Sequence, residues 1–142
     1  MTADTILEPT AVVTAFLRCD GRILLVQRSR RVGTYQGRWS AISGYLEDDT
    51  PLLQARREIR EETGLPDDEI HLVAEGEPIA IPAPDLAKLW IVHPFLFEID
   101  DPEHIRLDWE NVEFCWITPI EIKDYPTVPK LEEALQACLK LT

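Results

Sequence analysis

The stretch SGYLEDDTPLLQARREIREETGL, Ser43 to Leu65, decides how the rest of the chain is read. Thr50 followed by Pro51 starts a helix: a hydroxyl caps free amides, and proline at the first helical position gives up no hydrogen bond. Gly64 supplies the left-handed residue that closes it. At roughly 100° per residue, Leu52, Ala55 and Ile59 form one apolar stripe facing a core. Beside that stripe Glu58 and Glu62 stand one turn apart, with Arg57 and Glu61 as neighbours. Like charges at this spacing are mildly destabilising. The face is therefore either a solvated surface laced with Arg–Glu pairs or a set of carboxylates gathered for a hard divalent cation. The loop SGYLEDD brings backbone carbonyls and further carboxylates to the helix start. That combination describes a magnesium site on a loop–helix unit.

Working outward, TAVVTAFLRC and RILLVQR read as strands joined by a hairpin at Asp20-Gly21. Ser29 to Arg38 reads as a loop leading into a short strand, WSAIS. Beyond the helix come IHLVAEG and EPIAI, then a Pro-rich loop at Pro82 and Pro84. KLWIVHPFLFEI is a long apolar strand in which Pro94 predicts an edge position or a bulge. NVEFCWIT is a further strand, and PKLEEALQACLKL a closing amphipathic helix. Strands mixed with well-spaced helices predict a layered α/β or α+β domain.

The 142 residues suit one domain, taken as 1–142, with 45% apolar and 28% charged residues. No apolar run approaches the roughly 20 residues of a membrane span, and the N-terminus lacks a basic-then-apolar leader. Cys19, Cys115 and Cys138 lie far apart without metal-ligand spacing, which predicts reduced thiols in a cytoplasmic protein. With 26 acidic and 14 basic residues the net charge is −12, which disfavours long nucleic acids as partners. Against that background Arg28, Arg30, Arg31 and Arg38 cluster in QRSRRVGTYQGRW. They form a local anion site or a solvated loop. His71, His93 and His104 show no ligand spacing. Trp39, Trp90, Trp109 and Trp116 are expected mostly in the core, with Tyr35, Trp90 or Phe95 as candidates to stack on a base.

The Ser43–Leu65 stretch resembles the Nudix box, G-x5-E-x7-R-E-U-x-E-E-x-G-U, where U is a bulky aliphatic residue. Arg57, Glu58, Ile59, Glu61, Glu62, Gly64 and Leu65 match its second half in full. The first half departs from it. Counted back from Arg57, the box glutamate falls on Asp49 and the box glycine on Ser43, with Gly44 one place later. A one-residue deletion in the loop, with Asp replacing Glu, accounts for both departures. GRILLVQRS, GRWSAISGY and ENVEFCWITPIEI extend the resemblance over most of the chain. GRWSAISGYLE and VHPFLFEI are most similar to a poorly characterised subgroup of the family.

The resemblance implies an α/β/α sandwich with a mixed sheet between helices. It implies a Mg²⁺-dependent pyrophosphohydrolase, with Mn²⁺ able to substitute, that cleaves a diphosphate bond in a nucleoside di- or triphosphate derivative. Water would attack at phosphorus, and the partner would be a small-molecule nucleotide. Glu58 and Glu62 would be the principal metal ligands, with Glu61 and a backbone carbonyl at Ser43 or Gly44 completing the set. Arg57 would orient the carboxylates, and Arg28, Arg30 or Arg38 would hold substrate phosphate. Glu58 is one candidate for the catalytic base. Glu110 on a later loop, with Glu113 behind it, is the other, unless Glu110 is simply an exposed loop acid. Dimers are common in the family, so a homodimer is compatible with the resemblance, which leaves the oligomeric state open. A non-catalytic nucleotide-binding or protein-interaction module is the competing class, and retention of Glu58, Glu61 and Glu62 favours catalysis.

Overall fold

Alternation along the strands assigns side chains to two faces, and the covering helices follow from it. The computed structural model describes residues 6–142. The chain runs β1 (Glu8–Cys19), β2 (Arg22–Arg28), β3 (Trp39–Ser40), β4 (Ile42–Tyr45), α1 (Pro51–Thr63), β5 (Ile70–Glu75), β6 (Ile79–Ala83), β7 (Lys88–Ile99), β8 (Asn111–Ile117) and α2 (Leu131–Leu139). At the centre β1 and β7 run parallel, in register from Glu8↔Lys88 to Arg18↔Glu98. β4 pairs antiparallel with β1, and β2 carries β3 and β8. The outer side of β7 is shared by β6 and β5.

Val13, Ala15 and Leu17 of β1, Leu24 and Val26 of β2, and Phe95 and Phe97 of β7 form one buried layer with Ala55 and Ile59 of α1. The intervening Phe16, Ile23, Leu25 and Leu96 pack against Leu131, Ala134, Leu135 and Cys138 of α2. The result is the expected sandwich, a mixed sheet between helices. No helix among the described residues is long and apolar enough to cross a membrane.

The sequence signals for α1 act as anticipated. The Thr50 side chain accepts the Leu53 N–H at 3.2 Å, and Gly64, at φ 77°, donates its N–H to the Arg60 carbonyl at 2.9 Å. Ile59 is fully buried, and such burial contributes about 1.5–3 kcal/mol. The exposed Arg57–Glu61 pair, at 3.5 Å, belongs to a type worth only about 0.3–0.5 kcal/mol. Packing therefore holds this helix, and its acidic residues are free to serve another purpose.

Two proline expectations are corrected. Pro94 lies in central β7 rather than at an edge. It sits where the antiparallel neighbour changes from β6, paired as far as Val92, to β5, paired from Phe95. The missing N–H of a proline is tolerated in that gap, and the Pro94 carbonyl still accepts the Gly76 N–H at 2.9 Å. Pro82 belongs to β6, an edge strand, so the Pro-rich loop begins only at Pro84. WSAIS divides into β3 and the start of β4. Cys19, Cys115 and Cys138 are all free thiols.

Candidate active site

Residues four apart on a helix line up, and on α1 the row is Gln54, Glu58, Glu62. All three are buried, with Gln54 at 0%, Glu58 at 8% and Glu62 at 2% exposure. Burying two carboxylates side by side is costly unless something compensates their charge. A third acid joins them from outside the helix. The last turn of α1 leaves carbonyls free, and the loop before β8 docks onto them. Arg106 N–H donates to Thr63 O at 2.7 Å and Asp108 N–H to Glu62 O at 3.3 Å. Asp108 Oδ1 then accepts the Glu110 N–H at 3.0 Å, and Glu110 O accepts the Ser29 N–H at 2.8 Å. So anchored, Glu110 meets the helix. Carboxylate oxygens of Glu58, Glu62 and Glu110 lie within 4.8 Å of one another.

The electrostatics show carboxylates whose charge is only partly compensated. Burial, reinforced by the charges of Glu61 and Glu110, pushes Glu58 up to about 7, although hydrogen bonds to its carboxylate oppose this. Burial together with the Glu110 and Glu58 charges holds Glu62 well above the ordinary carboxylate range. Glu110 is raised too, by burial and then by Asp108, with Arg28 opposing. Glu62 Oε1 accepts from Asn111 Nδ2 at 3.1 Å, whereas among the described residues its buried Oε2 has no hydrogen-bond partner. An orphaned buried oxygen within a group of carboxylates fits a cation, and an all-oxygen donor set suits a hard divalent one.

Arg28 faces the same space. A register shift between Gln27 and Arg28 marks the place where β2 meets the start of β8. The guanidinium donates through Nε to Thr34 O at 3.0 Å and through Nη2 to Thr34 Oγ1 at 3.4 Å. Burial lowers its proton affinity, while the nearby Glu62 and Glu110 raise it. Arg28, Glu58, Glu61 and Glu110 line a cleft of about 420 Å³, together with Tyr35, Tyr45, Trp90 and Trp109. That volume suits one small organic ligand. Trp90 Nε1 donates to Tyr35 Oη at 3.0 Å, and the Tyr45 and Trp90 ring centroids are 6.2 Å apart.

The other candidates are placed as follows. Glu61 sits at the cleft rim, exposed and outside the carboxylate group, where Arg57 Nε is 3.5 Å away. Arg57 also reaches Asp48 at 3.2 Å, so it grips the preceding loop rather than the Glu58–Glu62 row. Asp49, at the box-glutamate position, is exposed. Ser43 lines the cleft from β4, paired with Thr14. Arg30 and Arg38 lie outside the cleft lining, and Arg38 instead donates to Thr127 O at 3.4 Å. Arg31 stacks over the Trp109 ring at 5.4 Å.

Two aromatic expectations change. Trp109 is 52% exposed rather than core, because it belongs to the docking loop and not to the sheet. Phe95 is fully buried between β7 and α1, so it cannot meet a base. Sequence reasoning also passed over Gln54, Asn111 and Tyr45. Gln54 was legible in principle, since it stands four residues before Glu58 on the same face.

The family model for the NUDIX domain matches residues 7–138. The CTP pyrophosphohydrolase of Escherichia coli strain K12 is 30% identical over 131 residues, covering 92% of this chain and 91% of that protein. A NUDIX hydrolase from Nitrosomonas europaea superposes with a TM-score of 0.72 at 23% identity, covering 92% of this chain and 88% of its own. The E. coli ORF135 protein superposes at 0.69 with 25% identity, covering 95% and 91% of the two chains. With the box, the sandwich and the carboxylate site in agreement, the chain belongs to the Nudix family and is a hydrolase.

Proposed function

We propose that this chain is a Mg²⁺-dependent pyrophosphohydrolase of nucleoside di- or triphosphate derivatives, with Mn²⁺ able to substitute. The observation that carries the reading is the group of Glu58, Glu62 and Glu110, in which Glu62 Oε2 is buried without a partner among the described residues and from which Glu58 and Glu110 line an aromatic cleft. Those three carboxylates would hold the cation, with Glu61 at the rim within reach through water. When bound, the cation supplies Lewis-acid stabilisation of charge on the phosphoryl oxygens. Arg28, which lines the same cleft near Glu62 and Glu110, binds a phosphate oxygen. The Trp90 and Tyr45 rings offer a face for the base. Glu110, less enclosed than Glu62, accepts the proton of the attacking water. The water oxygen bonds to phosphorus, the bridging P–O bond breaks, and the proton passes on to the leaving phosphate.

The E. coli relative acts on CTP, which makes pyrimidine nucleoside triphosphates the first substrates to try. The net charge of −12 favours a small nucleotide over long nucleic acids, and the free thiols suit a cytoplasmic setting. The test is hydrolysis by purified protein, with products separated by mass. A nucleoside monophosphate plus pyrophosphate is expected with Mg²⁺, and neither product with chelator. Robust hydrolysis in metal-free protein, or none with Mg²⁺ or Mn²⁺ on any nucleotide, refutes the reading.

A second measurement concerns phosphate binding. Arg28→Ala is expected to raise KM about tenfold or more, with kcat falling less, since a hydrogen bond to a charged group is worth about 1.5–3 kcal/mol. Arg30→Ala and Arg38→Ala should leave both constants near wild type, because those residues lie outside the cleft lining. An unchanged KM in Arg28→Ala removes Arg28 from the site.

A further inference from the structure

The box-glutamate position holds Asp49, which is exposed, on a loop one residue shorter than the family pattern. Another residue does work at that place. Gln54 has no exposed surface, and its amide is engaged on both sides. Its Oε1 accepts the backbone N–H groups of Glu47 and Asp48, each at 2.8 Å. Its Nε2 donates to Glu58 Oε1 at 3.0 Å. The orientation of this amide is fixed by chemistry. Backbone N–H groups only donate, so they must meet the carbonyl oxygen, and the NH₂ is left facing Glu58. On its other side, Glu58 packs against Gly44 with no room for a Cβ between them.

We propose that Gln54 is a positioning residue that locks the shortened loop and the Glu58 carboxylate into one arrangement ready for a cation. One amide joins two parts that would otherwise move separately: the turn at Glu47–Asp48 and the acid on the helix. Because the NH₂ can only donate, it favours an acceptor oxygen on Glu58 and opposes rotation of the carboxylate away from Glu62 and Glu110. The same bond ties the loop that carries Asp48, hence Arg57 and Glu61, to the metal-binding row. Partners of metal ligands held in this way are a recognised influence on affinity. This assignment rests on the reading of Glu58 as a metal ligand.

The experiment measures Mn²⁺ binding to substrate-free protein by electron paramagnetic resonance, for wild type, Gln54→Met and Glu58→Gln. Methionine keeps the length and apolar bulk of Gln54 but cannot make the three hydrogen bonds. The Mn²⁺ Kd is expected to rise about tenfold or more in Gln54→Met. Its kcat at saturating Mn²⁺ should fall while KM for nucleotide holds. A Kd within about twofold of wild type in folded Gln54→Met, while Glu58→Gln binds weakly, overturns the role of Gln54. Wild-type affinity in Glu58→Gln as well would instead defeat the metal reading, and the proposal with it. Should Gln54→Met fail to fold, the wild-type protein decides. Coupling is reciprocal, so Mg²⁺ should slow hydrogen exchange at the Glu47 and Asp48 amides. Exchange there unaffected by Mg²⁺ overturns the proposal.

Discussion

Glu62→Gln is expected to lower turnover at least ~100-fold, a barrier increase of about 2.7 kcal/mol, without destabilising the metal-free protein. Glutamine keeps the volume and the acceptor that Asn111 uses, while its NH₂ gives the neighbouring Glu58 and Glu110 a donor in place of a like charge. Glu58→Gln should behave similarly. The stability of the metal-free chain then acquires a predictable pH dependence. A carboxyl whose folded value is raised holds its proton more tightly in the folded chain than in the unfolded one. That contribution is fully present below the unfolded value of 4.5 and is lost as pH rises through about 7 for Glu58. Denaturant melts of metal-free wild type should therefore weaken across that interval, and saturating Mg²⁺ should restore stability at the upper end. Glu58→Gln should show a flatter profile. If the carboxylates merely decorated a surface, both variants would retain turnover, and the melts would differ by only a few tenths of a kcal/mol. A Glu58→Gln, Glu62→Gln double variant with near wild-type turnover would refute the site.

The legible parts of this protein are those governed by local rules. Thr50-Pro51 and Gly64 delimit α1 within a residue, because caps and proline act through their immediate backbone. The hairpin at Asp20-Gly21 and the apolar runs of β1, β2 and β7 were readable for the same reason, while their division into two faces emerged only from the structure. The resemblance in Arg57 to Leu65 supplied the family. What sequence could not show is set by contacts between distant segments. Pro94 looks like an edge residue until β5 and β6 are seen to share one side of β7. Glu110 is an ordinary loop acid until the free carbonyls of Glu62 and Thr63 anchor its loop. Arg28, Arg30 and Arg38 are equivalent as letters, and only the irregular pairing at the end of β2 and the cleft lining distinguish Arg28. Gln54 escaped notice because the box pattern leaves its position undefined.

Gly44→Ala is expected to abolish most activity while barely affecting the fold, and this combination identifies which residue acts as the box glycine. Gly44 is not among the residues with positive φ, so its backbone tolerates a side chain. The obstacle is steric. A Cβ built at this position overlaps the carboxyl of Glu58, which Gln54 holds from the other side. The end of a flexible side chain can move aside, so the stability cost should remain within about 1 kcal/mol, as for most tolerated substitutions. The displaced carboxylate, however, leaves its partners Glu62 and Glu110. Turnover should then fall about as far as in Glu58→Gln, roughly 100-fold. Since both changes act on one group, Gly44→Ala combined with Glu58→Gln should be little worse than either alone. Ser43→Ala, at the position where the box glycine falls by counting, keeps its backbone carbonyl and should retain most activity. Steady-state rates and denaturant melts on the four variants decide the matter. A fully active Gly44→Ala protein would mean that Glu58 works from a position other than the one against Gly44.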